Sequence, residues 1–143
     1  MTSNWRDERG SAAVEITMVA PVLALFILLI ILGGRLALAR QAVQSAAFDA
    51  ARAASLARTQ PEARTASVRI AASTLANQKL PCVNTQVVTD TTGFDKPVGT
   101  PATVTVRLVC DVATGDLGLP GIAATVPVDA EATSPLDVYR ERK

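Results

Sequence analysis

The stretch EITMVAPVLALFILLIILGG, Glu15 to Gly34, decides how the rest of the chain is read. From Ile16 to Gly34 there is no charge, and the next ionisable group is Arg35. As a helix those residues rise roughly 28 Å at 1.5 Å per residue, close to the hydrocarbon thickness of a bilayer. A buried core helix is the competing reading. Leu25 to Leu32 offers no polar face, however, and a helix lying on a soluble core needs one. The segment therefore reads as a membrane-spanning helix. Pro21 inside it cannot donate to the carbonyl of Thr17, which predicts a bend near the start of the span.

Working outward, the 143 residues are 49% hydrophobic but only 3% aromatic, with 14 Lys+Arg against 13 Asp+Glu, no His and two Cys. Near-neutral charge argues against a nucleic-acid partner, which demands a basic surface to displace counterions. No His and two widely spaced Cys leave no metal-ligand cluster, so neither a metal nor a cofactor is expected. Asp90, Asp95, Asp111 and Asp116 fall in or beside loops without calcium-loop spacing. With no nucleophile motif and no phosphate-cradling loop, the chain reads as a non-enzyme.

The flanks of the span leave its handling open. A cleaved secretory signal needs a basic start, but Arg6 and Arg9 are cancelled by Asp7 and Glu8. An A-x-A match at Ala37-Leu38-Ala39 nevertheless keeps removal of residues 1–39 as an alternative. Arg35, Arg40 and Arg52 beyond the span outweigh the arginines before it, which by the positive-inside rule alone would place the C-terminal part in the cytoplasm.

Glu15 is the most informative residue. A carboxylate at the mouth of an apolar helix is costly unless paired or functional, and it follows Arg9-Gly10-Ser11-Ala12-Ala13-Val14. Cutting after Gly10 would create an α-amino group on Ser11, one helical turn from Glu15, with the carboxylate in the positive end of the helix dipole. Amine and acid would then neutralise each other within one chain or between neighbours. This is the chemistry of a pilin-type leader.

Residues 9–58 resemble the TadE-like proteins, pseudopilins or minor pilins of the bacterial tight-adherence (Tad) pilus system. The likeness rests on Arg9-Gly10, Glu15 five places later, Pro21, the apolar run, Gly34-Arg35-Leu36 and the Ala-rich stretch to Arg58. Members often carry an aromatic directly after the glutamate, where this chain has Ile16. The chain is also longer than the major Flp pilins. The resemblance implies cleavage between Gly10 and Ser11 by a prepilin peptidase of the inner membrane. It further implies partnership with other pseudopilins, the major Flp pilin and an inner-membrane assembly platform, besides the lipid bilayer.

After Gly33 and Gly34, where the chain would flex as it leaves the membrane beside Arg35, strong helix formers run to Ala57. Ala42, Ala46, Ala50 and Ala54 lie beside Ala39, Val43, Ala47 and Ala51, a small-residue face suited either to close packing between subunits or to the chain's own globular part. Thr59-Gln60-Pro61-Glu62 has the form of a capping box, so a second helix starts there and stops before Pro81. Residues 35–79 carry seven basic and two acidic groups, which reads as a solvated face ahead of a lipid-headgroup contact.

From Cys82 the vocabulary turns to Val, Thr, Pro and Gly. Cys82–Thr89 and Thr103–Cys110 read as strands, with a third over Ala123–Ala132 placed at an edge by Pro127. Asp116–Gly121 reads as a loop, and the tail from Tyr139 to Lys143 is too polar to bury. If Thr89 pairs with Thr103, Cys82 falls opposite Cys110 and a cross-strand disulfide follows, two reduced thiols being the alternative. A disulfide requires an oxidising compartment, which puts this part outside the cytoplasm, against the charge rule.

The expected architecture is α+β: a leader over residues 1–10, a transmembrane helix over 11–34, an extended helical region over 35–79 and a small extracytoplasmic β module of about three strands over 80–143. The expected function is pseudopilin-like assembly of a Tad pilus at the cell membrane, single-pass with the N-terminus cytoplasmic. The alternative is a membrane-anchored or secreted β module that binds an extracellular ligand.

Overall fold

The computed structural model describes residues 8–115, 121 and 123–139, and the side chains from Glu15 onward. The first seven residues of the expected leader, residues 116–120 of the expected loop and residues 140–143 of the expected tail lie outside the described residues. The order is α1 (Glu8–Ser55), α2 (Gln60–Asn77), β1 (Cys82–Asp90), a 3-10 turn (Thr92–Asp95), β2 (Thr103–Ala113) and β3 (Thr125–Pro135). The α+β expectation holds. The chain divides into two compact units, Met1–Arg35 and Leu36–Lys143.

In the first unit the described part is helix. Ile16, Met18, Val22, Phe26 and Ile30 are exposed, so most of the run has nothing packed on it among the described residues, although Leu32 near its end is buried. The helix is long and apolar enough to cross a membrane. Helical backbone continues through Pro21, Gly33 and Gly34.

In the second unit the remainder of α1 buries Ala39, Ala42, Val43, Ala46, Ala47, Ala50, Ala51 and Ala54. These recur at intervals of three and four, the period of one helical face. The small-residue face thus packs on the chain's own globular part, in one core with Ala63, Ala71 and Leu75 of α2 and the inner face of the sheet. Side chains this small let a helix backbone lie close to the layer beneath it. Helix α2 starts as its sequence dictates: Thr59 is the N-cap and its hydroxyl accepts from the Glu62 N–H at 3.3 Å. The Glu62 carboxylate completes the exchange one residue earlier than a standard capping box, accepting from the Arg58 N–H at 3.2 Å.

The sheet is antiparallel in the order β1-β2-β3, so β3, with its Pro127, is an edge strand as expected. In β2 the even-numbered residues Val104, Val106, Leu108, Cys110 and Val112 are buried while the odd ones face outward. Helices cover one face of the sheet. Ser134 on β3 donates to Ser55 on α1 at 3.0 Å, and Ser67 on α2 shares a 2.6 Å hydrogen bond with Thr89 on β1.

The strand register corrects the expectation. Thr89 pairs with Val106 rather than Thr103, and Cys110 lies opposite Thr85 rather than Cys82. The cause is the connecting segment: the 3-10 turn takes up Thr92–Asp95, and β2 runs beyond β1 to pair with Pro135 of β3. Extended without interruption, this register would bring Cys82 opposite Ala113, on the outer face. An irregularity between Cys82 and Asn84 moves Cys82 opposite Val112 instead, which shares the inner face with Cys110. A one-residue bulge changes which face a side chain takes. The disulfide Cys82–Cys110 forms from there, with Cα atoms 5.4 Å apart.

Candidate functional site in the N-terminal helix

Gly10 and Ser11 lie in helical backbone near the start of α1, and Glu15 is the first residue whose side chain is described. Glu15, Val19 and Leu23 follow at intervals of four and so share a face. With Ile16 and Ala20 they line a shallow open groove of about 450 Å³, apolar apart from the carboxylate. The Glu15 side chain is exposed and has no hydrogen-bond or ion-pair partner among the described residues. In a bilayer such a group demands a counter-charge. The site therefore consists of a carboxylate without a partner among the described residues, on a helix face that is otherwise apolar.

The other expected positions are spread along the chain. Pro21 sits six residues after Glu15 within the same helix. A side chain at Gly33 or Gly34 would meet nothing within 4 Å, so neither glycine is imposed by crowding. Arg35 closes the first unit. Ala37-Leu38-Ala39, the alternative cleavage motif, is uninterrupted helix, and Ala39 is fully buried in the core of the second unit. Cys82 and Cys110 lie in that unit as its disulfide. No group of His, Cys, Asp or Glu able to hold a metal occurs among the described residues.

One polar cluster was not legible in the sequence. The Gln60 amide donates to Asp95 at 2.6 Å, the buried Thr91 hydroxyl donates to Gln60 Oε1 at 3.2 Å, and Arg64 donates to Thr91 at 3.1 Å. It ties the first turns of α2 to the segment after β1. Its members stand about thirty positions apart in sequence, with no motif to join them. The cluster is satisfied internally and acts as a structural tie.

No curated protein and no solved structure matches the chain. A family model does, over the part of α1 that contains Gly10, Glu15, Pro21, the apolar run and most of the alanine face. Residues 10–52 match the model of the TadE-like protein family, so the chain carries a TadE-like segment.

Proposed function

We propose that the protein is a pseudopilin-like subunit that takes part in assembling a Tad pilus after cleavage between Gly10 and Ser11. The observation that carries this reading is the carboxylate of Glu15, without a partner among the described residues at the mouth of an apolar helix, inside the segment that matches the TadE-like family. Cleavage by a prepilin peptidase supplies the missing charge. The new Ser11 amine lies one turn away, on the same chain or a neighbour, and the shortened helix puts its positive dipole end beside Glu15. Neutralised in this way, the apolar helix packs against other pilin-type helices, including those of other pseudopilins and the major Flp pilin, at an inner-membrane platform. The disulfide supports an orientation with the strands outside the cytoplasm and the N-terminus inside.

The test combines processing with assembly. Protein taken from its native membrane is expected to begin at Ser11 and to have lost Trp5, the one tryptophan of the chain, and with it the indole emission. Glu15→Leu is expected to insert into the membrane normally and to abolish pilus formation. Wild-type pili in the Glu15→Leu strain would overturn the proposal, as would a mature start at Arg40 or an intact leader. A start at Arg40 would restore the secreted-module reading, although that cut removes Ala39 from the buried core.

A further inference from the structure

The two layers of the second unit carry opposite charge. Residues 36–79, which form the helical layer, hold six basic and two acidic groups, and Arg40, Arg52, Arg58 and Arg69 are exposed. The open face of the sheet is the reverse. Asp90, Asp111, Asp129 and Glu131 share it with a single base, Arg107, which lies opposite Glu131 and bonds Asp129 at 3.3 Å. The side chains of Asp111 and Glu131 have no hydrogen-bond or ion-pair partner among the described residues. The layers also differ in shape. On the side of α2 away from its buried Ala63, Ser67 and Ala71, an open groove of about 710 Å³ runs between the end of α1 and α2. Leu56, Ala66 and Ile70 line its apolar part, and Glu62 and Arg69 its polar part. On the sheet face Val88 is 64% exposed, in register with Arg107.

We propose that the open sheet face of one copy docks on the helical face of a second copy, Val88 entering the groove between α1 and α2 while Asp111 and Glu131 meet Arg52 and Arg69. The two faces lie on opposite sides of one packed unit, so no chain can satisfy both by itself. A second copy can. The contact is head-to-tail, joining different patches on the two partners, and such a contact extends into a row instead of closing at a dimer. An anionic membrane would attract the helical face but repel the sheet face, whereas a second copy uses both. This inference deepens the pseudopilin reading by naming one partner surface, and its test is independent of leader cleavage.

The experiment places a photo-crosslinking side chain at Val88 of the full-length protein in its membrane and maps the product by mass spectrometry. A dimer joined to residues 53–70 of a second copy is expected, and its yield should fall as salt is raised. Asp111→Lys with Glu131→Lys in every copy should lower the yield about fivefold, the scale of reversed exposed ion pairs. Arg52→Glu with Arg69→Glu should do the same. Mixing the two reversed proteins should restore the crosslink. A crosslink only to lipid, to a different protein or to another part of the second copy would overturn the proposal, and so would a loss that the mixture does not rescue. A dimer with the mapped contact but without a Ser11 start would leave this surface standing and remove the pilus reading.

Discussion

Asp90 ends β1 by turning its carboxylate back on the chain, where Oδ1 accepts from the Thr92 N–H at 2.9 Å. The Thr92 backbone bond, followed by its side chain, holds the Asp90 carboxyl below the ordinary value of 3.8. The fold therefore favours the ionised form. The stabilisation is fully present above the ordinary value and is lost as pH falls through the lower folded value. A side-chain NMR titration is expected to give Asp90 an inflection below that of a denatured reference, and Thr92→Pro, which removes the donated N–H, should move it back upward. Two residues further on, Gly93 is held as glycine by contact: a Cβ there would collide with the carbonyl oxygen of Thr103 and press on Leu136. A turn glycine in a linker would give the same one-letter signal, so this constraint is visible only once β2 has been placed.

At the scale of elements, the second half of α1 is defined by what its alanines leave out. Ala47 is fully buried against the chain's own core, so Ala47→Leu is expected to cost about 1–3 kcal/mol by overpacking. Ser45→Leu, on the exposed side of the same helix, should stay within about 0.5 kcal/mol. Thermal unfolding of the two variants checks both. The helical period and the Thr59 cap were legible because they are local, set by neighbours three or four positions away. The apolar run long enough to cross a membrane was legible for the same reason. Strand register was not, since it depends on how many residues of the 91–102 connection are absorbed into a 3-10 turn and on the irregularity near Val83. The pairing of Cys82 with Cys110 was anticipated through a direct opposition that does not occur; the bulge arrives at the same bond by another route. Of the candidate site, Glu15 and its apolar surroundings were readable from composition and spacing, while the tie among Gln60, Arg64, Thr91 and Asp95 exists only in three dimensions.

For the whole molecule, the folded unit draws its core mostly from alanine and valine, with Phe94 the one buried aromatic among the described residues. Such a core buries little area per residue, and a covalent staple matters correspondingly more. Closing a loop with a sequence separation of 28 stabilises by about 3–4 kcal/mol in the chain-entropy account. Reduction is expected to lower the unfolding midpoint of this unit markedly while leaving the apolar span in the membrane, which differential protease protection with and without reductant would measure.

The same bond gives the chain a closed loop of main chain, running out along β1, through the turn at Gly93 and back along β2 to Cys110. A single protease cut anywhere on that circuit opens the ring but releases nothing. A nick in the exposed stretch from Lys96 to Pro101 would leave one particle under oxidising conditions. Its two pieces would part on a gel only after a thiol is added.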